Sequence, residues 1–116
     1  MKSKRERLKD KAWKTFSTWV RNRDKRCCTC FTGKAENAGH FWHAVLDFDE
    51  ININGQCVQC NNYNSGNLAE YAIYLIRKYG LKTFFDLYDR KNLAKKGEVR
   101  SEQDYQDLID KYENRT

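Results

Sequence analysis

Cys27-Cys-Thr-Cys30 and Cys57-Val-Gln-Cys60 bracket the stretch that decides how this chain folds: Phe31-Thr-Gly-Lys-Ala-Glu-Asn-Ala-Gly-His40-Phe-Trp-His43-Ala-Val-Leu-Asp47-Phe-Asp49-Glu-Ile-Asn52-Ile-Asn-Gly-Gln56. The two Cys-x-x-Cys pairs are 26 residues apart. Each pair presents two thiolates, and together they make the tetrahedral S4 shell that zinc accepts. A closed shell leaves no open coordination position, so Cys27, Cys30, Cys57 and Cys60 are expected to bind a structural Zn2+. Cys28 is excluded by spacing, since only one residue separates it from Cys30. The chain has five cysteines; an odd number suits four ligands and one spare thiol better than a disulfide framework. A redox dithiol, or cysteines that are merely buried, are the alternatives.

Outward from the cysteines, the rest of the chain reads as helix. From Lys4 to about Arg23, Leu8, Ala12, Phe16, Trp19 and Val20 recur at spacings of three and four with Lys and Arg between them, which predicts an amphipathic helix. His40 to Val45 and Ile51 to Asn54 have the composition and alternation of two short strands, a hairpin between the knuckles. Leu68 to Tyr79 predicts a helix stopped by Gly80. Another runs from Lys82 to about Lys95 and ends at Gly97. Ser101 with Asp104 starts a last helix bearing Tyr105, Leu108, Ile109 and Tyr112. The expected class is α+β, with residues 1–116 as one domain: a basic N-terminal helix over 1–24, a zinc-bound core over 25–67 and a helical part over 68–116. A domain of 116 residues gains from a staple.

Charge divides the chain. Residues 1–34 carry 12 Lys/Arg against 3 Asp/Glu, residues 35–70 carry none against 5, and residues 71–116 carry 10 against 8. A basic arm beside an acidic centre holding both histidines suits a protein that grips a polyanion with one part and holds cations with another. Lys4, Arg5, Arg7, Lys11, Lys14, Arg21, Arg23, Lys25 and Arg26 are the expected contacts to a DNA backbone, giving salt-sensitive binding with little sequence preference. A solvated basic helix is the alternative. No apolar run is long enough for a membrane span, and no apolar region follows the charged start, so a cytoplasmic protein without a signal peptide is expected. The apolar stripes of the C-terminal helices raise homodimerisation as a possibility alongside their use in the core.

Hydrolysing a phosphodiester requires a base to deprotonate water and a divalent cation to offset charge on the phosphate and the leaving oxygen. The order His40, Asn52, then Asn61 directly after the last cysteine resembles the HNH, or ββα-metal, nuclease motif. That resemblance implies His40 as general base, Asn52 as the residue holding its imidazole, and Asn61 as a ligand of a catalytic Mg2+ or Mn2+. Many HNH sites carry an Asp just before the histidine; here the residue is Gly39. Replacement ligands are open between His43 and the acidic loop of Asp47, Asp49 and Glu50. Carboxylates suit a hard ion, and His43 a softer one.

A longer string narrows the resemblance. Lys11-Ala-Trp-x-x-Phe-Ser-x-Trp-Val-Arg-x-Arg-Asp24, Ala38-Gly-His-Phe41, Leu46-Asp-Phe-Asp-Glu-x-Asn52, Gln56-Cys-x-x-Cys-Asn-Asn-Tyr-x-Ser-Gly-Asn67 and Glu70-Tyr71 are similar to the NinG (Rap) recombination proteins of lambda-like phages. The similarity runs from about residue 8 to 80 and includes Gly39. It implies a structure-specific endonuclease acting on Holliday junctions and D-loops. Two departures are an N-terminal region shorter than such proteins often have, and Phe31 where a glycine is usual. The rivals are a zinc-stabilised DNA-binding module without catalysis and a protein-interaction zinc knuckle.

Overall fold

Ser3 sets the first helix: its hydroxyl accepts the Glu6 N–H at 3.1 Å, the N-cap bond that frees the chain to wind from there. In the computed structural model, which describes residues 1–94 and 100–115, this helix α1 spans Lys4–Asp24. Ala12, Phe16, Trp19 and Val20 are buried on one face, as their spacing predicts. Strand β1, Asn37–His40, pairs antiparallel with β2, Ile53–Gln56, placing Asn37 opposite Gln56 and His40 opposite Ile53. A single π turn, Gln59–Tyr63, leads to α2, Leu68–Tyr79, then α3, Leu81–Leu93, and α4, Glu102–Glu113. Gly80 closes α2 at φ 87°, and Ser101 with Asp104 forms a full capping box at α4, both as expected. The expected end of α3 near Lys95 and Gly97 lies outside the described residues.

The hairpin exists, but its strands lie elsewhere than the alternation suggests. β1 ends at His40 where the sequence reading starts it, and residues 41–52 form a long loop. The cause is Asn52. Its side-chain oxygen accepts the Trp42 N–H at 2.8 Å, and its amide nitrogen donates to the carbonyls of Trp42, Val45 and Leu46 at 3.1–3.3 Å. These bonds take up backbone groups that a longer ladder would need. Ala44 and Leu46 sit in the left-handed region at φ 64° and 54°, which incurs a backbone cost that the Asn52 bonds offset.

The sheet is covered on both faces, so the polar residues of β2 are buried with the apolar ones. On one face Ile53 and Ala38 pack with Phe16, Trp19, Val20 and Tyr112, joining α1, the sheet and α4. On the other, Asn54 donates to the Tyr71 hydroxyl at 3.1 Å, and that hydroxyl donates to the Gly39 carbonyl at 2.7 Å. Tyr71 also packs with Phe41, Leu75 and Leu87, tying α2 and α3 to the loop. The apolar stripe of α4 packs into the core, where Tyr105 and Ile109 meet Ala12. Among the described residues, no helix is long and apolar enough to cross a membrane.

Candidate functional site

The Sγ atoms of Cys27, Cys30, Cys57 and Cys60 all lie within 4.8 Å of one another, close enough to share one metal ion such as zinc. The first knuckle is closed by Cys27 N–H donating to the Gly33 carbonyl at 2.8 Å and by a bridge between Arg26 and Lys34. A Cβ on Gly33 would stand 2.6 Å from that of Cys57, so the knuckles meet only because residue 33 has no side chain. Phe31, directly after the first pair, takes φ 64° with its ring exposed. The second pair opens the π turn, and Asn67 reaches back to Cys60 Sγ at 3.7 Å.

The thiols are poised unequally. Hydrogen bonds from the Thr32 hydroxyl and the Gly33 backbone lower Cys30 to about 6. In Cys27, burial is outweighed by hydrogen bonds from Thr29 and backbone amides, and the thiol is lowered. The Cys60 backbone amide favours the Cys57 thiolate, but burial and the three neighbouring thiols prevail and raise it to about 12. A bound cation would relieve that competition. Cys28 lies apart, packed with Phe41, Tyr71, Leu75 and Leu87, and burial pushes its thiol far up.

A cleft of about 560 Å³ opens between α1 and the loop, lined by Lys9, Asp10, Trp13, His40, His43 and Asp47. His40 Nε2 lies 3.1 Å from Asp47 Oδ1. This hydrogen bond from His40 holds the Asp47 carboxyl below the usual carboxylate range. An ionised carboxylate can only accept, so Nε2 carries the proton and Nδ1 of a neutral ring is the basic atom. Trp13 stacks on His40 with centroids 5.3 Å apart, and the His43 ring lies nearly parallel at 6.2 Å. Asn61, in the π turn, has its side-chain oxygen 3.0 Å from where a Gly39 Cβ would stand, beside the strand that carries His40. His43, His40, Asp47 and Asn61 therefore gather around the end of β1.

Other expected residues have different work. Asn52 is fully buried and bonds the loop backbone rather than the His40 ring; its effect on His40 runs through the loop. Asp49 accepts the N–H groups of Ile51 and Asn52 and pairs with Arg90, lining a different hollow with Arg100 and Asp104. Glu50 accepts from Tyr112 and Arg115. Of the loop carboxylates, Asp47 alone lines the histidine cleft. Arg23 leaves the basic stripe: its guanidinium donates to Asp24, the carbonyls of Glu50 and Ile53, and Asn54 Oδ1, and stacks on Trp19. Lys4 and Lys11 lean toward Glu102 and Glu113 on α4 at 3.7 and 3.9 Å. Arg7, Lys14 and Arg21, spaced by seven, share one side of α1, with Arg21 bonded along its helix to Ser17 and Thr18. Arg5, Lys25 and Arg26 are exposed. The sequence reading missed Trp13 as the residue against His40; its signal was a tryptophan three residues before Phe16 on the buried side of an amphipathic helix.

The model of the family described as "Bacteriophage Lambda NinG protein" matches residues 1–116. The chain belongs to the NinG family. Relatives called protein ninG include that of Salmonella phage P22, 42% identical over 67 residues, 53% of this chain and 33% of that protein. Those of Escherichia phage 933W and Escherichia phage lambda are 37% and 36% identical over 78 residues, 62% of this chain and 39% and 38% of theirs. This NinG-family chain thus aligns with well under half the length of those relatives. No solved structure matches it.

Proposed function

We propose that the chain is a metal-dependent, structure-specific endonuclease of the HNH, ββα-metal type, hydrolysing phosphodiester bonds in branched recombination intermediates such as Holliday junctions and D-loops. The observation that carries this reading is His40 in an open cleft, bound at Nε2 by Asp47, with His43 in the same cleft, Asn61 against the preceding Gly39, and a basic helix alongside. A histidine whose far nitrogen is held by a carboxylate has its tautomer and orientation fixed, which is what a general base needs. Membership of a phage family, and the His40, Asn52, Asn61 order, support the choice of phosphodiester as substrate.

In this reading His40 Nδ1 takes a proton from water as the water oxygen bonds to phosphorus and the opposite P–O bond breaks. Asp47 stabilises the imidazolium so formed. Trp13 limits ring rotation. Asn61 Oδ1 lies against Gly39 and His43 Nε2 against Gly66, and these are the donors that would hold Mg2+ or Mn2+. When bound, such an ion offsets charge on the phosphate and the leaving oxygen. The zinc would be structural, fixing the π turn that carries Asn61 against the first knuckle. Arg7, Lys14, Arg21, Lys25 and Arg26, with Lys4, Arg5 and Lys11, would track the phosphates, and branch selectivity would come from shape.

The test is a four-way-junction assay with zinc-loaded protein. Cutting is expected with Mg2+ or Mn2+ and none when both are withheld, and His40→Ala should cut about 100-fold more slowly or worse while binding the junction as before. Undiminished cutting by His40→Ala overturns the assignment of the base. Junction binding without cutting in any divalent metal makes the chain a zinc-stabilised DNA-binding module, and no binding at moderate salt makes it an interaction knuckle.

A further inference from the structure

Gln56 has no exposed surface, and its amide is oriented by its own donors. Nε2 donates to the Gly66 carbonyl at 2.7 Å and to Thr29 Oγ1 at 3.2 Å. A carbonyl can only accept, so the nitrogen is fixed on that side and Oε1 must point the other way. Among the described residues Oε1 has no hydrogen-bond partner, although it is buried. An amide oxygen in that state loses its hydration without compensation. Its surroundings name the missing partner. Oε1 lies 1.9 Å from where a Gly39 Cβ would be, so it fills the space that residue 39 leaves, and Asn61 Oδ1 lies 3.0 Å from the same point. Two amide oxygens therefore face one small region at most about 5 Å apart, a gap one hard cation spans with bonds of about 2.1–2.5 Å. Gly66, which receives the Gln56 amide, also borders His43: a Cβ there would stand 3.7 Å from His43 Nε2.

We propose that Gln56 Oε1 is a ligand of the divalent cation, acting with Asn61 Oδ1 at the seam between β1 and the π turn, so that part of the coordination is neutral amide oxygen supplied from β2. This rests on the metal-dependent reading above and adds a residue to it. The donor set selects a hard ion of the Mg2+ or Mn2+ kind. It also accounts for a glycine at position 39: any side chain there would displace the oxygen from its place.

The test titrates Mn2+ into the zinc-loaded full chain and follows the side-chain amide resonances by NMR. Paramagnetic broadening is expected first at the NH2 groups of Gln56 and Asn61, with those of Asn92 and Gln103 left sharp. Gln56→Met, of similar volume but without the oxygen, should bind Mn2+ about tenfold more weakly or worse, read from the free-ion EPR signal. The wild-type titration decides even if that variant does not fold. A folded Gln56→Met that binds Mn2+ as tightly as wild type overturns the inference and leaves the nuclease reading standing. So does an Asn61 N–H found bonded to Gln56 Oε1 and unchanged by saturating Mg2+. No Mn2+ bound near these residues overturns both.

Discussion

Asn52 shows how a single buried amide can shape a site it does not touch. Four backbone groups between Trp42 and Leu46 depend on its side chain, and the left-handed Ala44 and Leu46 lie within that span. Removing the amide leaves those groups buried and unpaired and releases the loop that carries Asp47. Asn52→Ala should lower stability by about 2–4 kcal/mol in denaturant unfolding and, on the nuclease proposal, abolish cutting together with it. A loss below about 1 kcal/mol, with cutting intact, would mean that the loop holds its shape without it. The HNH resemblance singled out Asn52 as the residue holding the His40 imidazole, but its bonding to the loop was not legible: a side chain that bonds backbone ten residues away leaves no periodic trace. The same holds for Arg23, which looks in sequence like its basic neighbours and is distinguished only by the carbonyls it meets after folding.

Among the elements, α1 and α2 were the easiest to read, because an apolar stripe repeating at three and four states both the helix and its buried face. The strands were the hardest. Four residues each, covered on both sides, they show no alternation of exposure, and the Ile-Asn-Ile-Asn pattern that suggests a half-exposed strand marks instead two asparagines bonded inside the fold. The exposed side of α1 carries the prediction that belongs here. If Arg7 and Lys14 contact phosphates, each Arg/Lys→Ala change should reduce the slope of log K against log salt for duplex DNA by about 0.9. Slopes equal to wild type would mean that these charges only face solvent. Arg23→Ala is expected to act through unfolding, seen as a lower melting temperature rather than a changed slope.

For the molecule as a whole, the four cysteines were legible to the residue, since ligand spacing is a property of sequence alone; the partners of His40 were not, because α1 and the loop meet only in the fold. With Cys57 raised to about 12 and Cys30 lowered to about 6, the metal-free cluster holds thiolate and thiol together at neutral pH. Zinc takes thiolates, so its binding at pH 7 should release about one proton or more, measured as calorimetric heats that vary with the ionisation enthalpy of the buffer. Heats independent of the buffer would exclude thiolate ligation of this kind. Glu50 gives a second pH dependence. Burial acts to raise its carboxyl, but Tyr112 and Arg115 prevail and hold it below the usual 4.5. A carboxyl lowered in the folded state stabilises it above the unfolded value and loses that contribution as pH falls. The melting temperature should therefore drop on acidification through the carboxylate range, and less steeply in Glu50→Gln.

The grip on Glu50 also orders events in time. Its carbonyl is held by Arg23 near the start of the chain and its carboxylate by Tyr112 and Arg115 near the end. A chain leaving the ribosome has both histidines, the hairpin and all four clustered cysteines in hand while residues 112–115 are still unmade. The loop that presents Asp47 to His40 receives this clamp only with those residues, so a ribosome stalled shortly before them would display a hairpin with its four cysteines complete and its histidine cleft not yet braced.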